Sequence, residues 1–111
     1  MSYYKYQIKI DNGQYYFALY PNNNNKIPVI KSNGYNSYED ALKAKENFAT
    51  LVSIRRETAF RIEKISVSRY CLTFTHENII VRRIEKSRTI CREVVMRIVK
   101  NIHAPLVILE D

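Results

Sequence analysis

The chain is poor in the residues that build cofactor loops. It has no tryptophan and, among its 111 residues, only two glycines, three prolines and two histidines. Loops that cradle phosphate groups depend on closely spaced glycines, because only a residue without a side chain lets the backbone approach the ligand so closely. Gly13 and Gly34 are 21 positions apart. The sequence therefore excludes a glycine-rich nucleotide-binding loop.

Cysteine and histidine are too few, and too far apart, for a recognisable metal or nucleophile motif. Cys71 and Cys91 lie in apolar runs without CxxC spacing, and His76 and His103 come without the further ligands that a zinc site needs. Neither cysteine has a histidine at the spacing of a Cys–His dyad. We therefore expect buried free thiols, no metal and no cofactor, and we predict that the protein is not an enzyme.

Long apolar runs are also missing. No stretch approaches the roughly 20 residues of a membrane-spanning helix, and residues 1–7 are polar and aromatic rather than basic with an apolar centre, as a secretory signal would be. The apolar fraction of 46% and the nine tyrosines favour an ordered globular chain. We expect a soluble cytoplasmic protein that does not contact a membrane.

Acidic residues are outnumbered, and the imbalance lies mostly in the second half. The net charge is +7, of which residues 1–52 contribute +2 (six lysines against four acids) and residues 53–111 contribute +5 (twelve basic residues against seven acids). Every arginine belongs to the second part. Basicity of this size raises the chance of an acidic partner, although it also occurs as solubilising charge.

Residues 4–52 have the pattern of a small β-β-β-α unit. Alternating apolar and polar residues over 4–10 predict a strand whose lysines and Gln7 face water, and Asn12 and Gly13 predict a tight hairpin turn into a second strand over 14–20. A third strand over 26–32 is less regular, because Pro28 cannot donate a ladder hydrogen bond and the face of Ile30 is ambiguous. Ser37 then caps a helix that extends to about Val52.

The motifs of this unit resemble those of a known family. They are Tyr6-Gln7-Ile8, the aromatic-x-Phe-x-Leu pattern at residues 15–19, and Ser32-Asn33-Gly34-Tyr35-Asn36-Ser37 at the start of the helix. Together they cover about half of the chain and resemble the YegP-like family of small bacterial proteins. The resemblance implies β-β-β-α-β units that share one sheet and exchange their C-terminal strands. It implies no activity, substrate or catalytic residue.

A second, more divergent copy of the unit occupies residues 59–111. Phe60 and Ile62 follow Tyr6 and Ile8 by 54 positions, and the aromatic and apolar residues of the next strand follow by 55. The glycine and tyrosine of the first copy are missing at residues 85–89. Ser87 or Thr89 would cap the second helix, and residues 106–109 form a terminal strand.

These patterns predict an α+β protein that is one compact domain, residues 1–111, made of repeat 1 (4–52) and repeat 2 (59–111). The two repeats are expected to share one antiparallel sheet with both helices packed on it. The terminal strand is expected to be exchanged between the repeats. The chain would then be a monomer that acts as an internal pseudo-dimer.

The first functional hypothesis is a non-catalytic interaction or regulatory module that binds another protein. Exposed tyrosines are enriched at protein interfaces. The candidate contact residues are Tyr3, Tyr16, Tyr20 and Tyr38. A catalytic alternative would require at least a cleft lined by Tyr35, Tyr38 and His103.

The second hypothesis is a nucleic-acid-binding protein that uses the basic second repeat. Phosphate contacts from arginine would give salt-sensitive affinity with little sequence dependence. The candidate polyanion-binding residues are Arg82, Arg83, Arg88 and Arg92. These arginines would otherwise form a solvated face, or pair with Glu63, Glu77 and Glu85.

Overall fold

The computed structural model describes residues 4–21 and 26–108. It is an α+β structure of two β-β-β-α units, joined by a short 3-10 helix, Arg56–Ala59. The elements are β1 Lys5–Asp11, β2 Gln14–Tyr20, β3 Ile30–Lys31, α1 Tyr38–Arg55, β4 Arg61–Ser66, β5 Arg69–His76, β6 Ile79–Glu85 and α2 Arg88–Lys100. Tyr3, the predicted loop 22–25 and the end of the predicted terminal strand from Leu109 onward lie outside the described residues.

The prediction of one shared sheet is wrong, because the structure contains two three-stranded antiparallel sheets, β1-β2-β3 and β4-β5-β6. Within residues 4–21 and 26–108, the ladder pairing between the two sheets is one isolated antiparallel bridge, between Ser32 and Val81. β3 has two residues rather than the predicted seven. Pro28 precedes it, and Val29 and Ile30 both turn into the core, so the segment lacks the alternation that a longer ladder needs.

Both helices begin in the same way in the two units. The Ser37 hydroxyl accepts a hydrogen bond from the backbone N–H of Asp40 at 3.1 Å, and the Ser87 hydroxyl accepts one from Ile90 at the same distance. Ser87, rather than Thr89, is therefore the cap of α2.

Neither of these helices is long and apolar enough to span a bilayer.

The core of the two units meets at one aromatic cluster. Phe48 of α1 packs against Phe74 at a ring-centroid distance of 4.9 Å, against Phe17 at 5.5 Å and against Phe60 at 6.3 Å. Phe17 and Phe48 belong to the first unit, while Phe60 and Phe74 belong to the second. The apolar faces of both units are thus buried in a single cluster.

The end of the chain returns to the first sheet. The backbone N–H of Tyr6 donates to the carbonyl of Pro105 at 2.8 Å, and the N–H of Val107 donates to the carbonyl of Tyr6 at 2.9 Å. These bonds form a parallel bridge between Leu106 and Tyr6. The Tyr6 hydroxyl donates to the carbonyl of Ile102 at 2.9 Å, and burial raises the pKa of this phenol. The segment after α2 thereby covers the outer edge of β1.

Replacing Phe48 by alanine should destabilise both units together. The side chain is fully buried and contacts three other rings, so its loss should lower the free energy of unfolding by about 3–5 kcal/mol. Urea denaturation followed by circular dichroism would measure the change. Ile54→Ala, at a side chain on the same helix that is 72% exposed, should stay within about 0.5 kcal/mol. Separate unfolding transitions for the two units would contradict the single core.

Candidate functional site

Two of the four predicted arginines are neighbours in β6 and point to opposite sides of the sheet. Arg82 lies on the outer face, which we define as the face turned away from the helices, and its guanidinium is 3.7 Å from Cys71 Sγ. Arg83 faces inward, with Nε 2.5 Å from Glu85 Oε2 and Nη1 2.6 Å from the carbonyl of Val29. Arg83 therefore joins the two units.

The other two arginines lie on the helix side. The guanidinium of Arg88 is 5.4 Å from the centre of the Tyr70 ring and donates to the carbonyl of Ile62 at 3.3 Å. Arg92 lines a groove between α2 and β4. The structure therefore does not bring the four arginines together on one face.

Two of the predicted tyrosines share the outer face of the first sheet, beneath lysines. The Lys31 ammonium is 4.3 Å from the ring centre of Tyr16, and the Lys9 ammonium is 4.4 Å from that of Tyr20. Tyr20 is only 2% exposed. Burial raises the pKa of both phenols. Tyr20 is thus buried within the outer face and leaves little surface for a partner to contact.

The remaining tyrosines are placed elsewhere. Tyr38, at the start of α1, packs edge-on against Tyr15 with a centroid distance of 6.4 Å. Tyr35, a candidate in the catalytic alternative, is buried. Its hydroxyl lies 3.1 Å from Asn33 Oδ1 and 3.1 Å from the carbonyl of Asn78. Tyr35 is therefore part of the joint between the units.

Gln7 departs from its sequence prediction, because it is 1% exposed rather than facing water. It lies on the outer face, opposite Ala18, and neither atom of its side-chain amide has a hydrogen-bond partner. An unpaired buried amide costs about 1–3 kcal/mol. Ala18 and Tyr20 on the same face are also buried, although all three residues lie outside the core cluster.

The motif that carries the family resemblance connects the two units through hydrogen bonds of Asn33 to Asn78 and Ile80, which we call the clasp. The Asn33 N–H donates to the carbonyl of Ile80 at 3.0 Å, and the N–H of Ile80 donates to Asn33 Oδ1 at 2.9 Å. Asn33 Nδ2 also donates to the carbonyl of Asn78 at 3.0 Å. At Gly34, a Cβ would lie 2.5 Å from Oε1 of Gln14, so a larger residue there would have to displace that side chain. These residues are structural.

A groove with mostly apolar walls lies beside β4. β4 is the end strand of the second sheet, and among residues 4–21 and 26–108 nothing forms a strand along its other edge. A groove of about 390 Å³ runs between this strand, the 3-10 helix and α2. Its lining residues are Glu57, Phe60, Ile62, Arg92, Val95 and Met96. Met96 is 53% exposed.

Sequence reasoning missed this groove, since its walls come from segments about 35 positions apart. Met96 was the available signal, because it is an apolar residue outside the buried stripe of α2.

Few hydrogen bonds are made by the backbone groups along the open edge of β4. The N–H of Phe60 donates to Glu57 of the 3-10 helix at 3.2 Å, and Arg88 contacts the carbonyl of Ile62.

The cysteines are free and buried, as predicted. Burial, and the nearby carboxylate of Glu85, raise the pKa of the Cys91 thiol, so it is a poor nucleophile at neutral pH. Within the part of the chain that the structure describes, no three histidine, cysteine, aspartate or glutamate side chains are grouped to hold a metal ion.

The arrangement of two β-β-β-α units, packed on one core and closed by a returning chain end, is a tandem YegP-like fold. YegP from E. coli, a protein of unknown function, has a solution NMR structure that matches this chain with a TM-score of 0.79. The match covers 97% of this chain and 94% of that chain at 14% sequence identity. The resemblance drawn from the sequence motifs is confirmed, and identity this low shows the fold alone. No family model and no curated protein matches the chain.

Replacing Asn33 by alanine should loosen the joint between the sheets. Its side chain makes two hydrogen bonds to the backbone of the second unit, so their loss should lower the free energy of unfolding by about 1–3 kcal/mol. It should also speed hydrogen exchange at the amide of Ile80. Asn36→Ala, at an exposed position of the same motif, is the matched control. Equal effects of the two changes would refute the clasp.

Proposed function

We propose that this chain is a non-catalytic protein-binding module in which a segment of a partner protein adds as a strand to the edge of β4. The observation that carries the proposal is an open sheet edge directly beside an apolar groove. An edge strand offers unpaired N–H and C=O groups to an extended peptide, while a neighbouring groove accepts alternate side chains. Affinity would come from the edge and selectivity from the groove.

The size of the groove fits one or two branched side chains. Burying a leucine or isoleucine side chain contributes about 1.5–3 kcal/mol, and each backbone hydrogen bond adds a net of about 1 kcal/mol. After the cost of ordering the peptide, binding in the micromolar range is expected. Such affinity suits a reversible interaction.

The basic surroundings of the edge favour a partner segment that carries acidic residues. Arg61 and Lys64 belong to β4, and Arg92 lines the groove. Glu57 and Glu63 offset part of this charge, and Arg61 lies 3.6 Å from Glu63 in an exposed pair. Exposed pairs of this kind are weak, so they would yield readily to an incoming carboxylate.

Selection from a library of random displayed peptides should enrich extended segments with alternating apolar residues. Met96→Glu places a charge in the groove and should weaken the selected peptides by at least about tenfold. Ile10→Glu changes an isoleucine that is 60% exposed on the first sheet and should leave binding unchanged. Peptides that bind both variants and the parent equally would overturn the proposal.

A second candidate function is polyanion binding at the outer face, favoured by one observation. Lys31 of the first unit and Arg82 of the second line the same depression of about 300 Å³, across the bridge that joins the sheets. Two cations from different units thus converge, although the four arginines singled out from the sequence do not. Single-stranded nucleic acid is a ligand whose phosphates such a pair of cations could bind.

Filter binding of a single-stranded oligonucleotide would test this candidate. If the face binds phosphates, affinity should fall steeply with salt, and the double change Lys31→Glu and Arg82→Glu should reduce it at least about tenfold at low salt. The control Lys43→Glu and Lys100→Glu alters the net charge equally at exposed helix positions. The same loss in both double variants would show non-specific attraction and reject the site.

A further inference from the structure

We infer that the groove beside β4 binds its ligand as a strand parallel to β4, in the way that residues 104–108 lie along the edge of β1. The ligand is a short extended segment of branched apolar residues followed by an acidic group. This inference rests on the proposed function and specifies the orientation and chemistry of the partner segment. The chain's own end supplies the template.

The two sheet edges occupy equivalent places in the two units. Phe60 and Ile62 in the second unit follow Tyr6 and Ile8 in the first by 54 positions, and both pairs lie in or beside the first strand of their sheet. The helices also correspond, since Ser37 and Ser87 are their caps. The groove between β4 and α2 is therefore the counterpart of the space between β1 and α1.

In the first unit this edge is already occupied. The parallel segment at Leu106 exchanges two backbone hydrogen bonds with Tyr6, of 2.8 and 2.9 Å. Leu106 also packs against the core cluster. The fold itself thus shows that a parallel apolar segment fits along the first strand of a unit.

In the second unit the connection after α1 is too short to supply that strand. Only five residues, 56–60, connect the end of α1 at Arg55 to the start of β4 at Arg61. A parallel neighbour requires the chain to run along the strand and then return to its start, which takes a crossover of about a dozen residues or more. The connection instead turns at Arg56, with a φ of 56°, and forms the 3-10 helix. This connection therefore leaves the edge of β4 to a separate segment.

The lining of the groove sets the chemistry of that segment. By the 50-residue offset of the helices, Val95 stands where the first unit has Lys45, whose ammonium lies 4.8 Å from the ring centre of Tyr6. Val95 and Phe60 both line the second groove, so the place of a lysine in the first unit is taken by an apolar residue in the second, and the second groove is more apolar. Arg92 provides a cation at the same groove. The chain's own residues 105–111, Pro-Leu-Val-Ile-Leu-Glu-Asp, combine branched apolar residues with an acidic end.

An incoming strand would have to displace two contacts at this edge, and the first is the 3.2 Å hydrogen bond from the Phe60 N–H to the carbonyl of Glu57. Arg88 reaches the carbonyl of Ile62 at 3.3 Å from an exposed position, a long contact that an incoming backbone N–H would improve on. The groove side chains Ile62 and Met96 are partly accessible. No part of the core has to open.

The test uses a synthetic peptide of the sequence of residues 103–111, added to the intact full-length chain. Fluorescence anisotropy should give a Kd of about 10–100 μM, and a scrambled peptide should bind at least about tenfold more weakly. Amide shifts in two-dimensional NMR should cluster at residues 60–64 and on α2. Intermolecular contacts should show the peptide parallel to β4.

Two groove variants and one control make the result specific. Met96→Glu changes an exposed side chain, and Val95→Lys installs the residue that the first unit has at this place. Each should weaken the peptide at least about tenfold, whereas Ile10→Glu should not. If Val95→Lys impairs folding, judged by circular dichroism, Met96→Glu alone decides.

Three outcomes would overturn the inference: no binding at millimolar peptide, an antiparallel arrangement, or shifts confined to Tyr6 and its neighbours, which would mean exchange at the first edge. If displayed random peptides still bind and respond to Met96→Glu, the proposed function stands and only the orientation and the sequence class are wrong. If the displayed random peptides also fail to bind, both the inference and the proposed function are wrong.

Discussion

The packing of Phe48 against rings from both units is the contact on which the rest of the structure depends. A unit of about 50 residues buries too little surface to be stable alone. Phe48 lies between Phe17 of its own unit and Phe60 and Phe74 of the other, so each unit completes the core of its neighbour. The sheets need not form one continuous ladder once the core is shared. The single bridge at Ser32 is sufficient because Asn33 adds hydrogen bonds beside it.

Local features of the fold were predictable because local chemistry decides them. Asn12 and Gly13 adopt positive φ angles of 52° and 77° in a two-residue hairpin turn, which asparagine and glycine tolerate better than other residues. Ser37 caps α1 for a similar reason. The continuity of the sheet was not predictable, since it depends on how Val29 and Ile30 both reach the core after a proline. Gln7 is a further exception, because it is buried on the face that the alternation of its strand assigns to water.

The candidate functional residues also divide into those that local sequence places and those that only the packing of distant segments brings together. Arg82 and Arg83 are adjacent in a strand, so period-two alternation already places them on opposite faces, and grouping them into one patch overlooked this. The groove beside β4 lay beyond sequence reasoning, because Ile62 and Met96 meet only after α2 packs on the sheet. A single exposed methionine on a helix is a weak signal, and it gains meaning only beside an open strand edge.

The difference between the two units follows from how they are connected. After α2 the chain is free to lie along β1, because no further element has to follow it within the described residues. After α1 it must enter β4 within five residues, which leaves no length for a parallel strand. Covalent linkage of two similar units therefore closes one edge and opens the other, without any change in the pattern of either unit. The open edge falls in the repeat that carries seven of the nine arginines, so the asymmetry in shape and the asymmetry in charge coincide at β4.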